Sequence, residues 1–265
     1  MSNWIRNNSK LGKIVEQTNN IIVLEEQRGI SHRCYLIGVG NSVTLDDKQR
    51  VKKHDPFMPR FSSGVNSVDT VYVFYFTNAC KGLADAGKDV AEFVNKLGFY
   101  NEVVLVGHSK CGVCLSYATE YCNQPQQITL ITIYTPFKGT VLADGNAMRR
   151  DLKKWYLRLG YNLIFSDHPV DRDIAPCSEF IKSLKPPVCK RHVNIATYLN
   201  AKCDCRSAID RVLLWWNKAI NLGGDGFVPL ESQKTECDVQ FFVPASHATS
   251  LTFIQRVENY LYINS

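Results

Sequence analysis

The stretch 102–112, EVVLVGHSKCG, constrains the chain more than any other. Four aliphatic residues, Val103, Val104, Leu105 and Val106, have the make-up of a strand buried on both faces. Gly107 ends the run, His108 and Ser109 follow, and a helical pattern opens at about Val113. A strand, a sharp turn bearing a serine and a helix lift a hydroxyl off the sheet edge and leave backbone N–H groups free at the helix start. The spacing approaches G-x-S-x-G, with Cys111 in the place of the last glycine and Gly112 one position late.

The flanking segments predict that this strand is one of several in a parallel sheet. Residues 71–76, VYVFYF, are aromatic and β-branched throughout and read as a buried strand. Leu83, Ala86, Val90, Phe93, Val94 and Leu97 then recur at helical spacing, and Gly98 supplies a stop. Strand, helix, strand, helix implies βαβ units, whose reactive turns lie at the carboxyl ends of the strands. Further strands are expected at 21–24, 34–39, 128–133, 193–199 and 239–243, with helices at 209–220 and 250–263. Residues 1–19 read as a loose polar arm or short helix, and 46–68, rich in charge and proline, as loop.

Between 141 and 190 the pattern changes. Met148, Leu152, Trp155, Tyr156 and Leu159 form one apolar stripe, with Arg149, Arg150, Lys153, Lys154 and Arg158 on the other faces. This basic amphipathic helix, 148–159, fits a helix packed on the sheet, or a lid or lipid-facing surface.

Composition narrows the function. The 265 residues, 45% hydrophobic, suit a single large α/β domain, and the +6 charge, from 31 basic against 25 acidic residues, singles out no nucleic-acid partner. The first twenty residues lack an apolar core of signal-peptide length, and no apolar run reaches membrane-spanning length, so a soluble, cytoplasmic protein is expected. The ten cysteines are then expected to be reduced thiols. Cys111 and Cys114, and Cys203 and Cys205, lack the second pair that a zinc ribbon needs, so no metal and no cofactor is expected.

Three features stand in a particular order: Ser109 at the turn, Asp225 in the loop GGDGFVPLESQ, and His247 after the last strand. Ser, Asp, His is the chain order of α/β-hydrolases. VVLVGHSKCG resembles the serine turn of bacterial lipases and esterases, TPFKGT resembles their TP-x-x-G-[ST] segment, and DGFVPLESQ resembles their D-G-x-V-P-x-x-S-[AQ] loop. SHATSL is similar to their histidine loop and APCSEFIKSL to a piece of their cap. The likeness runs from about residue 71 to the end.

The resemblance implies an α/β-hydrolase fold, lipase- or esterase-like, with a mostly parallel sheet and a helical cap inserted at 141–190. It implies Ser109 as nucleophile, His247 as general base and Asp225 as the carboxylate that orients the imidazole, with Asp204 a second candidate for the acid. The backbone N–H of Lys110 would serve the oxyanion. Because these enzymes take a second donor from the loop after the strand that precedes the first helix, Thr77 or Asn78 is expected to supply it. Small-molecule or lipid carboxylic esters are the implied substrates. A thioesterase or acyltransferase would use the same triad. A non-catalytic hydrolase-fold protein binding a lipid or protein partner is the reading from another class.

Overall fold

A computed structural model describes residues 12–45, 51–52, 67–144, 169–199 and 223–244. The expected helices at 148–159, 209–220 and 250–263, and residues Cys203, Asp204, Cys205 and His247, lie outside the described residues.

The strands are β1 (Lys13–Gln17), β2 (Ile21–Gln27), β3 (Arg33–Leu45), β4 (Val51–Lys52), β5 (Thr70–Thr77), β6 (Glu102–His108), β7 (Ile128–Ile133), β8 (Arg191–Tyr198) and β9 (Val239–Pro244). They form a sheet in the order β1-β2-β5-β3-β6-β7-β8-β9, with β4 paired to the far end of β3. From β5 to β9 every neighbouring pair is parallel; β1 and β2 add antiparallel partners at one edge.

All seven strands foreseen from the sequence are present at or near the expected positions, and two other segments differ. The polar arm contains β1, which has only Ile14 and Val15 as apolar residues and is held by its ladder to β2. The loop expected over 46–68 contains β4, paired through Thr44–Lys52 and Leu45–Val51.

Period-two burial sends side chains to opposite faces. Leu36, Phe74, Leu105 and Leu130 join one core cluster, and Ile37, Val73, Val104, Val106, Ile131, Val193 and Ile195 join the other. Helices α1 (Leu83–Lys96) and α2 (Lys110–Ala118) cover the first cluster. Helix α1 buries Leu83, Ala86, Val90, Phe93 and Val94, and carries Asp85 in its first turn and Lys96 in its last, as the helix dipole favours. Among the described residues three short helices follow: α3 (Pro169–Arg172), α4 (Glu179–Ser183) and α5 (Leu230–Gln233).

A buried polar network ties β7, β8 and β9 together. Thr132 Oγ1 lies 2.9 Å from His192 Nε2 and donates to Asn194 Oδ1 at 2.9 Å. Asn194 Nδ2 donates to the Gln233 carbonyl oxygen at 2.7 Å and to Gln240 Oε1 at 2.9 Å. Burial pushes the His192 imidazole down to about 4, so the folded protein holds it neutral. An unfolded histidine titrates near 6.5, so between those values the unfolded chain binds the extra proton. Stability therefore falls as pH drops from about 6.5 towards 4, by up to about 3 kcal/mol. His192→Gln is expected to remove that part of the acid sensitivity. Urea midpoints at pH 7 and pH 4.5 should differ less in the variant than in wild type.

Candidate active site

Ser109 sits between β6 and α2 with φ 56 and ψ −130, outside the regions that L-residues favour. Holding a non-glycine residue there costs about 1–3 kcal/mol, so the surroundings must impose it. They do. The Ser109 N–H donates to the Ile133 carbonyl oxygen at 2.8 Å, and the Ser109 carbonyl oxygen accepts the Gly112 N–H at 2.9 Å. The helix begins at Lys110, three residues earlier than its apolar pattern indicates, so Cys111 lies in the first turn.

Crowding fixes the turn from both sides. A β-carbon at Gly107 would lie 2.4 Å from Gly112 Cα, and one at Gly112 would lie 1.9 Å from Thr135 Oγ1. The helix therefore rests directly on the strand it leaves and on the segment after β7. Cys111 replaces the expected glycine without displacing anything because Gly38 faces it. A β-carbon at Gly38 would be 2.8 Å from Cys111 Cβ.

Asp225 is fully buried beside the carboxyl end of β8, where the Leu199 N–H reaches the Gly224 carbonyl oxygen at 2.6 Å. Its Oδ1 accepts the N–H groups of Phe227 and Val228 at 2.9 and 2.8 Å, and its Oδ2 accepts the Thr197 hydroxyl at 3.4 Å. The loop that carries it is bound to TPFKGT. Thr140 Oγ1 donates to the Phe227 carbonyl oxygen at 2.6 Å, Ser232 Oγ donates to the Gly139 carbonyl oxygen, and the Lys138 N–H donates to the Ser232 carbonyl oxygen at 3.2 Å. Gln233, also fully buried, accepts the Thr197 N–H on Oε1 at 2.7 Å and donates from Nε2 to the Thr197 carbonyl oxygen at 3.0 Å. Ser109 and Asp225 thus lie at the carboxyl ends of parallel strands β6 and β8, which have β7 between them and stand about 10 Å apart at ordinary strand spacing.

The structure does not bring Thr77 and Asn78 to this turn. Strand β3 lies between β5 and β6. The Thr77 N–H is taken by the Asn20 carbonyl oxygen at 2.9 Å, its hydroxyl bonds to the Asn19 carbonyl oxygen, and Asn78 is exposed. The strand beside the serine turn is β3, through Gly38 opposite Gly107. Its register against β5 then breaks. Gly38 pairs with Phe74 and Ser42 with Phe76, so four residues on β3 face two on β5. Backbone of 39–41 leaves the ladder at that point, as in a bulge. The sequence signal was the pair of glycines in GVG at 38–40, which end an apolar run.

The thiols beneath the turn are poor nucleophiles. Cys114 is fully buried and desolvation holds its thiol well above the usual range; Cys80 is pushed up to about 11 in the same way. The eight cysteines among the described residues form no disulfide with one another. Among the described residues no group of three or more His, Cys, Asp or Glu converges as a metal site, and no helix is long and apolar enough to cross a membrane.

Sheet order and the strained serine between strand and helix are those of the α/β-hydrolase fold. Solved structures agree. The mature form of Bacillus licheniformis lipase BlEst2 is similar with a TM-score of 0.60 at 13% identity, over 94% of this chain and 98% of its own. The metagenomic carboxyl esterase MGS0156 is similar with a TM-score of 0.51 at 18% identity, over 83% of this chain and 66% of its own. No family model matches the chain, and no curated protein matches it by sequence.

Gly112→Ala is expected to force the helix off the Thr135 side chain and to cost about 1–3 kcal/mol, the usual range for overpacking. A second change, Thr135→Gly, should recover part of the loss. Urea midpoints of the two variants, compared with wild type, measure both effects.

Proposed function

We propose that the protein is a serine hydrolase of carboxylic esters. The observation that carries this reading is Ser109, held at φ 56 at the start of α2 and at the carboxyl end of β6. Asp225 supports it, since its carboxylate is fixed by three bonds two strands away, on the same edge of the sheet. His247 is three residues beyond Pro244 at the end of β9, a length of chain that spans at most about 10 Å.

In this mechanism His247 takes the Ser109 proton as Oγ attacks the ester carbonyl carbon. Asp225 holds the imidazole tautomer and stabilises its protonated form without accepting the proton. The developing oxyanion meets the Lys110 N–H at the start of α2 and, in place of Thr77 and Asn78, backbone N–H groups of the 39–41 bulge on β3. The alcohol leaves with the proton from His247, and water hydrolyses the acyl-enzyme with His247 again as base. Residues 141–190 are the proposed cap, and in this reading the apolar residues Met148, Leu152, Trp155, Tyr156 and Leu159 serve acyl chains or a lipid interface. Solved lipases and esterases of this fold point to the same substrate class.

A fluorophosphonate probe tests the reading. Wild-type protein should be labelled at Ser109, and Ser109→Ala and His247→Ala should abolish labelling. With p-nitrophenyl esters, either substitution should lower kcat by about 10³-fold or more. A folded wild-type protein that takes no label would refute the proposal.

A further inference from the structure

A lysine in the first turn of a helix opposes the helix dipole, and α2 has no acidic residue there to offset it. Lys110 nonetheless occupies the first position of α2, directly after the serine. Its ammonium is largely buried, with the side chain 12% exposed, and sits 2.5 Å from Asp171 Oδ1, whose side chain is 17% exposed. The Phe76 ring, at the end of β5, lies beneath the ammonium at 5.9 Å from its centroid. Asp171 belongs to α3, sixty-one residues further along the chain.

The turn bearing Asp171 grips the catalytic edge at two more points. Asp173 Oδ2 accepts the Leu83 N–H at 2.6 Å, taking the role of a cap for α1, which has no side-chain cap of its own. The Ile174 carbonyl oxygen accepts the Thr140 N–H at 2.8 Å, at the end of TPFKGT. Val170 and Ile174 are buried in the core cluster beneath. The two further ties hold main-chain groups. The tie to Lys110 holds a side chain whose own backbone N–H points to where an oxyanion would form.

We infer that Asp171 is a positioning residue: by holding the Lys110 ammonium it fixes the first turn of α2, and with it the Lys110 N–H. The inference rests on the ester-hydrolase reading for its chemistry and on the ion pair for its mechanics. The lysine has a second effect. Its ammonium offsets the charge of the Asp171 carboxylate close to where negative charge would develop. Losing Lys110 alone should therefore be worse than losing Asp171 alone, and losing both should relieve part of the damage.

Fluorophosphonate labelling rates for Asp171→Asn, Lys110→Met and the double variant test this, with thermal unfolding to establish that each is folded. Asp171→Asn should label about tenfold to a hundredfold more slowly than wild type, as expected for a displaced catalytic donor. Lys110→Met should be slower still, and the double variant faster than Lys110→Met. For a short-chain ester the loss should fall on kcat, with KM changed by less than about twofold. Labelling of folded Asp171→Asn at the wild-type rate, or a double variant whose loss is the product of the single losses, overturns the inference. If Asp171→Asn does not fold, Asp171→Glu keeps the charge and moves it by one methylene. It should fold and label more slowly, and a wild-type rate overturns the inference. Amide hydrogen exchange separates this inference from the hydrolase reading. In Asp171→Asn, exchange across 107–116 should rise while 128–133 stays unchanged, whether or not the wild-type serine takes the probe. Unchanged exchange across 107–116 overturns the clamp; an unlabelled wild type instead overturns the hydrolase reading.

Discussion

Close approach of α2 to the sheet governs the candidate site. With no room for a β-carbon at Gly107 or Gly112, the helix axis passes as near to β6 as backbone atoms allow. The chain must reverse within one residue, and Ser109 absorbs the whole change in direction at φ 56. Burial of α2 against the core that includes Leu36, Leu105 and Leu130 holds it there. The strain at the serine is maintained by packing on both of its sides and by the bonds of its N–H and carbonyl groups.

Much of the architecture was legible because it rests on local patterns. Buried parallel strands read as continuous apolar runs, so VYVFYF, VVLV and ITLITI stood out, and α1 announced itself by a stripe and a glycine stop. Strand order was not legible, and there the oxyanion expectation went astray. The residues after β5 precede the first helix in the chain, yet β3 is the strand that lies against β6. Sequence order alone does not reveal that insertion. The short strand β1 was missed because two apolar residues give too weak an alternation. Asp171 had no local signal at all, since its partner is sixty-one residues away.

Cys111 is the most visible departure from the G-x-S-x-G pattern, and its environment accounts for it. The usual glycine leaves space for a neighbouring backbone; here Gly38 on β3 yields the space, and the cysteine fills it without exposure. A departure in one strand is matched by a missing side chain in the next. The pattern's physical requirement, room for close approach of the helix, is met from the other side.

The bonds between TPFKGT and the Asp225 loop carry one more consequence. Thr140 to Phe227, Ser232 to Gly139 and Lys138 to Ser232 join two loops that leave different strands. Linked in this way, they share one set of mechanical degrees of freedom and can shift only as a unit. Drift in the segment after β7 is transmitted to the carboxylate at the end of β8, so the two sequence motifs describe one rigid part and should be inherited together.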